Sequence, residues 1–324
     1  MKRREFIALS AAAAAASAQA WRTASAEADA ASSAQEIRPM DYPIIDTHVH
    51  FWDPDHLRYA WLDGSELLNR PYLPEDYTEA IGEVQVGGIV FVQAECRRDQ
   101  AVDEAKWVAE LCQRDPRIQA TVAWAPLELG EGVRPTLDAL AAIGNVHGIR
   151  RLLQAEPEPE FMLTDAFVEG TRLLPEYGMT FDFGVNRFQL EACAQLAAKC
   201  PEVRFILDHI GVPDIAGKQM EPWRTHLRAL AALPNVYCKM SGVATAADRA
   251  SWTRADVQPY METVIEAFGF DRLAFGSDWP VMLLATKIPR WFGVVREVVA
   301  SCSEAERRKL FVDTAVDFYR LPPA

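Results

Sequence analysis

The sequence has no basic surplus, no long apolar run in its body, no glycine-rich nucleotide loop and no internal repeat. Each absence removes a class of function. Lys and Arg number 33 against 46 Asp and Glu, a formal charge of −13. That balance argues against nucleic acid or an anionic membrane surface as partner, because both need a basic footprint. Past the N-terminal segment no stretch reaches the ~20 apolar residues needed to cross a bilayer. No Gly-x-Gly-x-x-Gly follows a strand-like run, which weakens a doubly wound dinucleotide-binding reading. Cysteine is sparse and scattered: Cys96, Cys112, Cys193, Cys200, Cys238 and Cys302. Cys193 and Cys200 share a helical stretch about 10 Å apart, too far to bridge. The thiols read as small buried hydrophobes.

At the N-terminus, Lys2-Arg3-Arg4-Glu5-Phe6-Ile7 precedes an alanine-rich run closed by Ala18-Gln19-Ala20. A positive start, a short apolar centre and an Ala-x-Ala end predict a cleaved export signal over residues 1–20, and the paired arginines resemble the twin-arginine type. A polar linker is expected over 21–39 and one catalytic-size domain over 40–324. The expected location is periplasmic, with no stable membrane association after cleavage. Homo-oligomerisation is left open.

Eight short runs rich in β-branched and aromatic residues predict strands over 44–50, 88–93, 118–123, 146–150, 179–185, 204–208, 236–240 and 273–276. Amphipathic stretches over 101–113, 135–143, 190–199 and 259–268 predict intervening helices. Strands alternating with helices imply a parallel sheet. Eight units in this length predict an α/β fold, a closed (β/α)8 TIM barrel, ahead of an open sheet. The long aromatic loop that follows the first strand, residues 51–76, is expected to be a flap over the mouth.

In such a barrel the chemistry sits at the C-terminal ends of the strands. The first strand ends in His48 and His50, which alternation places on one face. The second ends in Gln93 and Glu95, the fourth in Arg150 and Arg151, the fifth in Asp182. The sixth ends in Asp208 and His209, the seventh in Lys239 and Ser241, the eighth in Ser277 and Asp278. Imidazoles and carboxylates converging on one mouth predict a Zn²⁺-type site. Its expected ligands are His48, His50, Glu95 and Asp278, with His209 as the alternative to Glu95. Asp278 and His209 are the expected catalytic acid–base groups. Arg150, Lys239, Trp52 and Trp279 are expected to hold substrate, with Trp61 as a further stacking candidate.

The runs Asp46-Thr47-His48-Val49-His50-Phe51-Trp52-Asp53, Gly148-Ile149-Arg150, Leu207-Asp208-His209-Ile210-Gly211-Val212-Pro213 and Phe275-Gly276-Ser277-Asp278-Trp279-Pro280 together resemble the amidohydrolase superfamily. They are most similar to its branch of TIM-barrel hydrolases that holds sugar lactonases, 2-pyrone-4,6-dicarboxylate lactonase and 4-sulfomuconolactone hydrolase. The resemblance covers residues 43 to about 320. It implies barrel-mouth roles for His48, His50, His209 and Asp278. Many superfamily members carry a bridging lysine or glutamate after strand 4 and a histidine after strand 5. Here Arg150 and Phe181-Asp182-Phe183 take those places, which implies one divalent metal, zinc in the first instance, rather than two. Some lactonases of this branch work without a tightly held metal, and then the histidines and Arg150 would hold the lactone directly. The resulting expectation is an exported hydrolase that opens a sugar-acid or dicarboxylate-type lactone of small-molecule size. The alternatives are an amide hydrolase or decarboxylase of the same superfamily, and a non-catalytic ligand-binding barrel.

Overall fold

A computed structural model of the chain describes residues 40–323. The predicted signal and linker lie outside the described residues. Eight parallel strands pair in chain order, β1 (Ile44–Val49), β2 (Val86–Val92), β3 (Ile118–Ala123), β4 (Val146–Ile149), β5 (Thr180–Phe183), β6 (Phe205–Leu207), β7 (Val236–Met240) and β8 (Leu273–Phe275). Runs such as Ile89-Val90-Phe91-Val92 are wholly buried. This is the signature of strands covered on both faces, and it is why they read as unbroken apolar stretches.

A principal helix follows each strand: α1 (Pro74–Ile81), α2 (Ala101–Arg114), α3 (Arg134–Ala141), α4 (Asp165–Arg172), α5 (Leu190–Lys199), α6 (Trp223–Ala231), α7 (Arg254–Phe268) and α8 (Ile288–Val298). Helix α7 begins five residues before the predicted 259. Asp256 accepts from the Thr253 N–H at 2.9 Å and from its hydroxyl at 2.7 Å, and this capping arrangement starts the helix ahead of Pro259.

The strands form a nearly closed barrel. Between β1 and β8 the seam is made by a single Val49–Trp279 bridge and by side chains. The Asp278 N–H donates to the His48 carbonyl and the His50 N–H to the Trp279 carbonyl, both at 2.8 Å. Below them the Ser277 N–H donates to Asp46 Oδ1 at 2.8 Å and the Thr47 hydroxyl to the Phe275 carbonyl at 2.7 Å. The seam therefore runs through the residues predicted to do chemistry and fixes His48 against Asp278. From the opposite end the short helix α9 (Thr314–Tyr319) accepts at the Tyr319 carbonyl from His147 Nδ1, 2.6 Å away, and sends the Tyr319 hydroxyl inward to Asp182 Oδ2 at 2.8 Å.

Residues 51–76 are a packed loop rather than an open flap. Trp52 and Tyr72 form an antiparallel bridge, Trp61 donates to the Ala94 carbonyl at 2.7 Å, and the Arg97 N–H donates to the Arg58 carbonyl at 2.7 Å. Its aromatic content is the loop's own core. Beneath it Glu104 of α2 is buried and accepts from the Ala94 N–H at 3.1 Å. Burial, opposed by that bond and by Tyr59, pushes its carboxyl up to about 8. The fold therefore holds Glu104 protonated. As pH rises from about 4.5 to about 8 the unfolded chain has lost that proton and the folded chain has not, so stability falls across that window. Glu104→Gln is expected to flatten the slope by on the order of 3 kcal/mol, read from urea unfolding at pH 5 and pH 8.5. Equal slopes in the two proteins would refute the assignment. All six cysteines are free thiols, as their scatter predicts.

Candidate active site

Asp46 accepts from the Tyr77 hydroxyl of α1 at 2.8 Å, and beyond it His48 and His50 both face the barrel mouth. Their imidazole Nε2 atoms, with that of His209, point at one oxygen. His50 Nε2 lies 3.4 Å, His48 Nε2 3.7 Å and His209 Nε2 3.9 Å from Asp278 Oδ1. Each ring is oriented from behind. His50 Nδ1 donates to the Val92 carbonyl at 2.6 Å, and His209 Nδ1 sits 3.0 Å from the Ser241 hydroxyl. Two of these residues occupy left-handed backbone, His209 at φ 54° and Asp278 at φ 67°. Such conformations cost about 1–3 kcal/mol each and persist where the surrounding structure enforces them.

All four groups are buried. Burial holds His48 well below the usual imidazole range, lowers His209, and with Arg150 takes His50 down to about 3. Burial also pushes Asp278 up to about 6, against the pull of His209 and Arg150. Neutral imidazoles beside a carboxylate are the donor set that a borderline divalent ion takes. Ligand atoms of His48, His209 and Asp278 lie within 4.8 Å of one another, so the residues fit one such ion, with His50 Nε2 adjoining through Asp278.

Glu95 does not join this group. The chain leaves β2 at Val92 and Glu95 adopts φ 56°, so extended-strand alternation no longer sets its direction. Its Oε1 accepts from Gln93 Nε2 at 2.9 Å. The group whose geometry could hold an ion contains His209 and not the expected Glu95.

Arg150 and Arg151 diverge as adjacent strand-end residues should. Arg151 pairs with Glu128 at 3.1 Å and Glu156 at 2.6 Å. Arg150 turns inward, where Nη1 lies 3.4 Å from Asp208 Oδ2 and 3.5 Å from His48 Nε2, and Nη2 donates to the Gln93 carbonyl. Its Nε is buried and has no hydrogen-bond partner among the described residues.

Three expected substrate contacts are corrected. Lys239 is wholly buried below the histidines, paired with Asp182 Oδ2 at 2.5 Å and Asp208 Oδ1 at 3.0 Å. It sits inside β7, not at its end, so its ammonium reaches the barrel floor. Trp52 is also wholly buried and donates to the Leu68 and Arg70 carbonyls at 3.1 and 2.9 Å. Trp279, 1% exposed, packs edge-on to Phe51, Tyr72 and Tyr77. Neither indole offers a face to a ligand. Tyr319, which touches Asp182, carried no sequence signal.

Gly242 marks how tightly His209 is held. A Cβ there would lie 2.5 Å from His209 Cγ and Nδ1, and the residue has φ +61°. Gly242→Ala is expected to displace the ring and lower kcat/KM about 10²-fold while the far-UV spectrum stays unchanged. An unaltered kcat/KM would contradict this packing.

Comparison with known proteins identifies the family. Residues 45–321 match the Amidohydrolase family. The chain is 33% identical over 290 residues to an L-fucono-1,5-lactonase of Burkholderia multivorans, covering 86% of this chain and 96% of that protein. It is 23% identical over 335 residues to an L-rhamnono-gamma-lactonase of Scheffersomyces stipitis, covering 86% and 99%. A solved Burkholderia multivorans amidohydrolase with bound zinc superposes with a TM-score of 0.77 at 32% identity, covering 87% of this chain and all of that one. This chain belongs to the amidohydrolase family of hydrolases.

Proposed function

We propose that this protein is an exported lactonase that opens a sugar-acid lactone through attack of water on the ring carbonyl. The observation that carries the reading is the convergence of three imidazole Nε2 atoms on one carboxylate oxygen at the barrel mouth. The likeness to two sugar-acid lactonases supports the substrate class. The arginine pair and alanine-rich run at residues 3–18 support export.

Asp278 takes the proton of the attacking water as a new C–O bond forms at the carbonyl carbon. A positioned base of this kind contributes about 10²–10⁴-fold. The carbonyl π electrons move to its oxygen, and the Arg150 guanidinium beside the histidines stabilises the charge that develops there. The oxyanion electrons then rebuild the carbonyl as the ring C–O bond breaks, and the departing alkoxide takes up the proton that Asp278 gained. The products are a carboxylic acid and an alcohol within one molecule. A divalent ion held by His48, His209 and Asp278, with His50 beside it, would polarise the carbonyl and lower the pKa of water.

The test is a rate panel on the purified protein: L-fucono-1,5-lactone and L-rhamnono-γ-lactone, a set of N-acyl amides, and 2,6-dihydroxybenzoate. Expected is turnover of one or both lactones far above the spontaneous rate and none of the others. Amide or decarboxylase turnover without lactone turnover would overturn the reading.

A further inference from the structure

Below the three imidazoles lies a second, fully buried polar set that the proposed chemistry does not touch. Lys239, Asp182, Asp208 and Tyr319, like His48 above them, are all about 1% exposed or less. His48 Nδ1 stands 3.3 Å from Asp208 Oδ1 and 3.3 Å from Lys239 Nζ. An ammonium only donates and a carboxylate only accepts, so the two demand opposite tautomers of His48.

The other edge of the ring decides between them. Arg150 Nη1, 3.5 Å from His48 Nε2, can only donate. A proton on Nε2 would face that donor and would reach Asp278 Oδ1 only across 3.7 Å, too far for a hydrogen bond. A proton on Nδ1 removes both conflicts. It also turns the Nδ1–H toward Asp208 Oδ1, 3.3 Å away and reached as well by Lys239 Nζ at 3.0 Å. Lys239 is then satisfied without His48. Asp182 Oδ2 lies at 2.5 Å, Asp208 Oδ1 at 3.0 Å, and the Tyr319 ring takes the remaining face with its centroid 5.5 Å away. The Tyr319 hydroxyl completes the set by donating to Asp182 Oδ2 at 2.8 Å.

We infer that Lys239, Asp182 and Tyr319 are positioning residues that hold Asp208 under His48. Through it they fix the imidazole proton on Nδ1 and leave Nε2 bare toward the mouth. The inference rests on reading that mouth as the hydrolytic centre. The closing helix α9 thereby becomes part of the site's foundation, although it enters from the far end of the barrel. A carboxylate behind a ligating histidine typically sets metal affinity by 10–100-fold, and here the carboxylate is itself held by a buried cation.

The experiment is long-range ¹H–¹⁵N spectroscopy of chelator-treated protein labelled at its six histidines, with His48 assigned by its loss in His48→Gln. It is paired with Zn²⁺ affinity measured by chelator competition. Neither readout uses a substrate, so a protein that opens no lactone still decides the matter. Expected in the native chain is the Nδ1–H tautomer of His48. The double variant Asp182→Asn/Lys239→Met removes one charge of each sign and leaves the net charge of the floor unchanged. In it His48 is expected to populate Nε2–H, and Zn²⁺ affinity to fall about 10–100-fold. Tyr319→Phe keeps the ring, removes one hydrogen bond and is expected to shift both readouts in the same direction by less. A native Nε2–H tautomer would overturn the inference, as would a tautomer and a Zn²⁺ affinity indifferent to both sets of substitutions.

Discussion

Asp278→Asn is expected to lower kcat/KM for lactone opening by about 10³-fold or more with the fold intact. The expectation follows from two properties of the position. Three imidazole Nε2 atoms converge within 3.9 Å of one oxygen of this carboxylate, so its loss removes the base and a candidate ligand together. The backbone at φ 67° is one that asparagine tolerates nearly as well as aspartate, so the amide should be accommodated without strain. Burial already pushes the carboxyl up to about 6, which indicates that the pocket accepts a neutral group there. Unchanged thermal unfolding with a collapsed rate is the expected pair of results. A loss under tenfold would remove Asp278 from the reaction.

Arg150→Met should damage both stability and rate. The guanidinium is the partner of Asp208 Oδ2, of the Gln93 carbonyl and of the His48 edge. Without it Lys239 alone faces the two buried carboxylates Asp182 and Asp208. Breaking a buried pair by removing one member costs about 3–5 kcal/mol, which for a domain of this size is a fall in Tm of roughly 10 °C. The rate should fall further, by about 10²-fold or more, through the lost donor to the developing oxyanion. Scanning calorimetry and initial rates check the two halves separately. A native Tm would mean that Asp208 does not depend on this cation.

The strands were legible because parallel strands covered on both faces must be apolar throughout, and 118–123 and 236–240 emerge with the bounds expected of them. The mouth was legible because strand ends present polar groups in a fixed direction. Depth was not legible. Alternation says which face a side chain takes but not at what level, so Lys239, one residue short of the end of β7, read as a mouth residue while its ammonium lies on the floor. Extended alternation also fails where the backbone turns left-handed, as at Glu95. Trp52 and Trp279 read as platforms because a tryptophan near a mouth suggests stacking, whereas the loop at 51–76 consumes both in its own packing. Tyr319 was invisible because it reaches Asp182 from a helix 137 positions away, a juxtaposition created only by closure of the barrel.

The most direct measurement is product analysis after ring opening in H₂¹⁸O, read by ¹³C isotope shifts on L-fucono-1,5-lactone. The account predicts one ¹⁸O on the carboxylate carbon and none on the released alcohol carbon, formed far above the uncatalysed rate by the native chain and near that rate by Asp278→Asn. Label on the alcohol carbon, or ring opening no faster than in buffer alone, would contradict it.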